Sequence, residues 1–214
     1  MADEQMSAGQ TSMAPGAFEG TRVVDLSSTL GGAYASRLLA DFGADVLLVE
    51  PTDGHQLRKE PPFVGDVPSS ERSILHGMAN WNKRSVVHDM EMGVGAIAEL
   101  AASADVLVTT AQKPWPAAVA AAVAALPSHA VHLSVTAHGL DGPLGSTPGC
   151  GLTANARSGW AVINGVHEQP PLQLPVRQVS YIGGVAGFLA CSAALYRATS
   201  ETVDVSELEA AAMT

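Results

Sequence analysis

Residues 20–51 read GTRVVDLSSTLGGAYASRLLADFGADVLLVEP, and this stretch decides the fold. Thr21 to Leu26 is a short run with paired valines, bounded by Gly20 and by Ser27-Ser28, as expected of a strand between turn residues. Ala35, Leu38, Leu39 and Phe42 then recur at i, i+3, i+4 and i+7, the spacing of one buried helical face. Gly43 stands where a helix usually ends in the left-handed conformation. Ala44 to Val49 is nearly continuous in apolar residues, with Glu50 before the closing Pro51. A strand without polar alternation is buried on both faces, which points to a parallel sheet. The opening is therefore strand, helix, strand, with Gly31-Gly32 at its first turn.

Working outward, residues 52–80 carry Pro61-Pro62 and Pro68 and read as irregular. Arg84 to His88 predicts a third strand, Val94, Ile97, Ala98 and Ala101 a helix face, and Asp105 to Thr109 a further strand. An alanine-rich helix is expected over 116–126, with Pro116 near its start. Val131 to Val135 reads as another strand, followed by a glycine- and proline-rich connection over 138–151 and a helix over 152–163. Gly184, Phe188, Cys191 and Leu195 fall on one face of a later helix. Thr202 to Val205 is a last strand candidate, before a helix begun by Ser206 with Glu209 at the capping-box position. The alternation predicts an α/β fold: an open, largely parallel sheet with helices on both faces. Residues 1–17 lack periodicity and are expected to form a disordered tail, leaving 18–214 as the folded unit.

Composition narrows the function classes. The 214 residues are 47% hydrophobic and 15% charged, which suits a compact domain rather than a disordered chain. The formal net charge of −10 opposes association with nucleic acid or an anionic membrane, so neither is expected as a partner. An anionic ligand would need a local cluster of donors. Cys150 and Cys191 lie far apart without metal-ligand spacing, and the histidines are scattered, so no metal site is expected. The amino terminus is acidic and polar, unlike a signal peptide, and no run of about 18 apolar residues occurs. A cytoplasmic location is the expectation.

Taken alone, Gly31-Gly32 is compatible with close packing or with a ligand approaching the backbone at a helix start. The strict GxGxxG dinucleotide pattern is absent. The order of segments says more. The 20–51 stretch is followed by Gly54-x-x-x-Arg58, by NWNKRSVVHDM at 80–90, by ADVLV at 104–108, and by Ser134 with Gly139, Gly142 and Pro143. ARSG at 156–159 and TVDVSELEAA at 202–211 follow in turn. This succession resembles the family III CoA-transferases, the carnitine and bile-acid type with acyl-CoA racemase relatives, over roughly 18–214.

That resemblance implies the large-domain fold of the family, truncated before its smaller domain, and coenzyme A as ligand. It places Thr29, Leu30 and Gly31 at the backbone contact with CoA, and Arg58, Lys83 and Arg84 near its phosphates. It also implies a nucleophilic aspartate at the position occupied here by Ser180, and a racemase histidine where Cys150 stands. No acid lies between Glu168 and Glu201, so no carboxylate is found near Ser180 along the chain. His138 is a candidate substitute base. Thr109-Thr110-Ala111 replaces the Glu-Asn-Phe that the family usually carries at its CoA site. The expected function is thus a CoA-thioester-binding half, non-catalytic alone, that needs a larger homologous CoA-transferase subunit. A scaffold that has lost CoA recognition, and a racemase-like enzyme with altered residues, stand as alternatives.

Overall fold

The structure is a computed structural model that describes residues 16–89, 93–110, 115–198 and 200–214. Most of the expected tail, residues 1–15, lies outside the described residues, as do Met90 and Ala111. Phe18 is already tied to the folded unit: its N–H donates to the Phe42 carbonyl at 3.0 Å.

In chain order the elements are β1 (Arg22–Asp25), α1 (Leu30–Asp41), β2 (Asp45–Glu50), α2 (Ile74–Ala79), β3 (Arg84–Val87), α3 (Val94–Ala101) and β4 (Val106–Thr109). There follow α4 (Pro116–Ala125), β5 (Val131–Thr136), α5 (Gly151–Arg157), α6 (Trp160–Ile163), α7 (Gln178–Arg197), β6 (Thr202–Ser206) and α8 (Glu207–Ala212). The six strands form one sheet in the order β3-β2-β1-β4-β5-β6, and every neighbouring pair is parallel. Successive side chains of a strand point to opposite faces, so Val23 and Val24 of β1 enter different cores. Val23 joins Val46, Val106, Leu133 and Val135 under Ala35, Leu39, Cys191 and Ala194 of α1 and α7. Val24 joins Leu26, Val49 and Leu107 under Ile97, Ala101, Ala118 and Ala122 of α3 and α4. The open parallel sheet with helices on both faces is as the sequence predicts.

The segment expected to be irregular, 52–80, holds short 3₁₀ turns at Gln56–Lys59 and Val64–Asp66 and the helix α2. The Ser73 hydroxyl caps α2 by accepting from the His76 N–H, a signal masked by the nearby prolines. The single helix expected over 152–163 is two, because Gly159 adopts φ +91° between α5 and α6. Phe42 is half exposed rather than buried, although its ring stacks on Phe188 at 5.4 Å.

Helix α7 is long and apolar enough by length and composition to cross a membrane. Its apolarity has a local explanation: Gly187, Cys191 and Ala194 are buried against α1 and the sheet, Val179 against Ala154 of α5 and Ala211 of α8, and Gly183 against Glu207 of α8. Glycines let this approach reach backbone distance, and a Cβ on Gly184 would stand 2.8 Å from the Gly31 carbonyl oxygen. Gly184→Ala is therefore expected to destabilise the fold by about 1–3 kcal/mol through overpacking. Gly77→Ala, at an open helical position in α2, is expected to stabilise it by about 0.5–1 kcal/mol. Denaturant unfolding of the two variants checks the contrast.

Candidate functional site

The strand order reverses between β1 and β4, and in open α/β sheets ligands bind beyond the carboxyl ends of the strands at such a switch point. A cavity of about 450 Å³ lies there. Its walls come from segments that follow strands: Ser28, Thr29 and Leu30 after β1, Gln56 and Leu57 after β2, Ala137 after β5 and Glu207 after β6. Cys150 and Gly151 at the start of α5, and Arg177 and Ser180 at the start of α7, complete them. A second hollow shares Ser28, Thr29 and Gln56 and extends to Lys59 and Trp115. The amino termini of α1 and α7 both open on the cavity, so their unpaired N–H groups favour negative charge there.

The turn after β1 is fastened across the switch point. The Ser28 N–H donates to Thr110 Oγ1 at 2.9 Å, and the two hydroxyls lie 3.0 Å apart. Gly32 permits this, since a Cβ there would stand 2.3 Å from Thr110 Cγ2. Of the Thr109-Thr110-Ala111 departure, Thr110 thus anchors the loop that presents Thr29, and Thr109 Oγ1 pairs with His132 Nε2 at 3.0 Å.

The structure brings Thr29, Leu30, Cys150 and Ser180 to one cavity, with Gly31 packed behind its wall. It does not bring the three expected cations there. The Lys83 side chain is 1% exposed and its ammonium donates to Asp25 Oδ2, the Ala33 carbonyl and Asn80 Oδ1 at 2.7–2.9 Å. Arg58 grips Glu50 with two hydrogen bonds, Nε to Oε2 at 2.6 Å and Nη2 to Oε1 at 2.9 Å. Burial opposes the charge of Glu50, but donors from Arg58, Ser85 and the His55 N–H prevail and hold its carboxyl down to about 2. Arg84 pairs with Asp45 through Nε and Nη2 on the exposed edge strand. The cations beside the two hollows are instead Arg177, paired with Glu60, and Lys59, paired with Asp53. Arg177 was legible only as the basic residue before a helix.

Cys150 is an exposed free thiol and the N-cap residue of α5. His138 is buried behind Gly149, and neither ring nitrogen has a hydrogen-bond partner among the described residues. Cys191 is buried in the core, where burial pushes its thiol up to about 12.

The residue that the sequence reading missed is Glu207. It is 3% exposed, it lines the cavity, and its Oε2 accepts a hydrogen bond from Ser180 Oγ at 3.1 Å. Three glycines make room for this carboxylate. A Cβ on Gly31 would stand 2.5 Å from Glu207 Oε1, one on Gly183 would stand 2.7 Å from Glu207 Cγ, and one on Gly151 would stand 2.5 Å from Ser180 Oγ. Burial pushes the Glu207 carboxyl up to about 7, against the hydrogen bond from Ser180, which favours its charge. The available signal was an acid directly after the last strand, the position of the ligand-facing loops in such a sheet. At the capping-box position, two residues on, the Glu209 N–H donates to the Ser206 hydroxyl at 3.2 Å.

Comparison with known proteins fits this architecture. The family described as CoA-transferase family III matches residues 18–214. The succinyl-CoA:(R)-benzylsuccinate CoA-transferase subunit BbsE of Thauera aromatica is 30% identical over 92% of this chain and 50% of its own length. The human succinyl-CoA:glutarate CoA-transferase is 31% identical over 83% of this chain and 41% of its own. A CAIB/BAIF family protein from Brucella suis superposes with a TM-score of 0.81 at 24% identity, covering 94% of this chain and 56% of that one, a likeness of fold. A hypothetical protein from Mycobacterium tuberculosis gives 0.75 at 26% identity, covering 92% and 56%. The chain spans about half the length of the curated relatives it matches.

Proposed function

The chain belongs to CoA-transferase family III, and from that premise we propose that it is a CoA-thioester-binding half of a CoA-transferase, acting with a larger homologous subunit to move CoA between carboxylic acids. The observation that carries the reading is the cavity beyond the carboxyl ends of β1, β2, β5 and β6, with the amino termini of α1 and α7 opening on it. A CoA thioester is long, anionic and partly apolar. The adjoining hollow, with Lys59 and Trp115 in its wall, offers a charge and an aromatic surface beside the first.

The partner is supported by a second feature. Val185, Leu189 and Tyr196 form an exposed stripe on α7, with Tyr196 92% exposed, beside the buried face that packs on the sheet. An apolar stripe of this kind suits a protein interface. The BbsE relative is itself named as a subunit.

Calorimetry of the chain with free CoA is expected to give micromolar binding, and absence of heat would favour a scaffold without CoA recognition. Purification from the native host is expected to bring down a larger homologue, with turnover of succinyl-CoA and an acceptor acid in the complex. Full turnover by the isolated chain would overturn the division between subunits.

A further inference from the structure

Moving CoA from one acid to another without losing the thioester to water sets a chemical requirement. One route holds CoA on the protein as a thioester, and a carboxyl side chain is the group that can form one. A serine can take an acyl group as an ester, but it cannot carry CoA. Ser180 therefore cannot hold CoA on its own hydroxyl, and the nearest acids along the chain, Glu168 and Glu201, are distant from it. The fold supplies what the local sequence does not: the carboxylate of Glu207 meets the Ser180 hydroxyl inside the cavity wall.

We infer that Glu207, carried by α8, is the group of this chain that captures the acyl moiety of a CoA thioester, with Ser180 holding its carboxylate in position. The inference rests on the reading that the cavity takes a CoA thioester. Four observations converge on it. Glu207 is almost fully buried yet contributes to the cavity lining. Its side-chain partner is the Ser180 hydroxyl, and among the described residues no cation pairs with its charge. Gly31, Gly151 and Gly183 leave room for the pair where any side chain would collide with it. The cavity is also bounded by the amino termini of α1 and α7, which favour a carboxylate over a neutral group.

The step balances with the thioester alone. A Glu207 carboxylate oxygen attacks the acyl carbon, the carbon–sulfur bond breaks, and CoA leaves as thiolate, giving an acyl–glutamyl anhydride. The thiolate then attacks the Glu207 carboxyl carbon and releases the donor acid, so that CoA is held as a glutamyl thioester. An acceptor carboxylate attacks that carbon, expels the thiolate and forms a second anhydride. Attack of the thiolate on the acceptor acyl carbon restores Glu207. No net proton, oxidant or reductant is consumed. Only the ionised carboxylate attacks, and burial raises Glu207 to about 7. Capture is therefore expected to rise with pH across that value. Arg177, Glu60 and Cys150 are the other titratable groups lining the cavity.

The test uses the whole chain with succinyl-CoA and no acceptor, trapped with borohydride or hydroxylamine and mapped by peptide mass spectrometry. Reduction to the alcohol or hydroxamate formation at Glu207 is expected, and its loss in Glu207→Gln. Ser180→Ala is expected to lower the rate of labelling at least tenfold without moving it to another residue. Calorimetry with CoA on Glu207→Gln separates the two readings. CoA binding retained with no label at Glu207 in the unsubstituted chain, or a label at Ser180 or Cys150, overturns the role of Glu207 and leaves the CoA site standing. Failure of the unsubstituted chain to bind CoA overturns both.

Discussion

Lys83→Met is expected to lower the unfolding free energy by about 3–5 kcal/mol near neutral pH, because it leaves a buried carboxylate without its counter-charge. Asp25 is fully buried and the Lys83 side chain nearly so, with 2.9 Å between Nζ and Oδ2. Burial alone would raise the Asp25 carboxyl; the charge of Lys83 and hydrogen bonds from Ser27 and Ser36 outweigh it and leave it below its ordinary value. The pair lies between the end of β1 and the first turns of α1, since the ammonium also donates to the Ala33 carbonyl and the Ser36 hydroxyl to Asp25. It therefore fixes the helix whose start presents Thr29 and Leu30 to the cavity. The double variant Asp25→Asn with Lys83→Met is expected to cost less than the sum of the single changes, because it removes the orphaned charge. Denaturant unfolding of the three variants measures this cycle; a Lys83→Met variant within about 1 kcal/mol of the parent would contradict it. Because the Asp25 carboxyl is held low in the folded chain, this stabilisation is present above the ordinary aspartate range and is lost as pH falls through the folded value.

Glu207 has the opposite sign. Its folded carboxyl sits at about 7 against an ordinary value of 4.5. The folded state therefore holds the proton more tightly than the unfolded state. That advantage is complete below the ordinary value and is lost as pH rises through about 7. The full span corresponds to about 3 kcal/mol. Glu207→Gln removes the titration while keeping the shape, so the variant should gain on the parent as pH rises. The gain is expected to grow by about 2 kcal/mol between about pH 5.5 and about pH 8.5. Chemical unfolding of both proteins at those two conditions checks it, and a pH-independent difference would refute the buried, proton-holding state of Glu207. A stability cost at the pH where the carboxylate is ionised is a usual companion of a reactive buried acid.

Local patterns carried the architecture. The run from Gly20 to Pro51 specified a strand, a helix and a doubly buried strand because each is written in neighbouring residues: paired valines, a 3.6-residue repeat, and a glycine stop. The same logic placed β3 to β6, α3, α4 and α7. It faltered where one residue overrides a pattern. Ser73 starts a helix in a proline-rich segment, and Gly159 divides a helix that composition alone would run together.

The site was legible at its backbone and illegible in its charges. Thr29, Leu30, Ser180 and Cys150 do share a cavity, because their places at strand and helix ends follow from element order. Lys83, Arg58 and Arg84 carry a charge that can be counted in the sequence, but a cation's role depends on which carboxylate folding brings to it. Asp25, Glu50 and Asp45 reach them from distances of 58, 8 and 39 residues.

The sequence by itself determined the parallel α/β sheet, the family and the absence of an acid near Ser180 along the chain. The tertiary structure alone decided that an acid stands there all the same. Periodicity and caps act over a few residues and are written locally. The meeting of Ser180 with Glu207 joins α7 to α8 across 27 residues and the intervening β6, with room left by Gly31, Gly151 and Gly183. Side-chain contacts of that range are set by packing, and no window of sequence contains them.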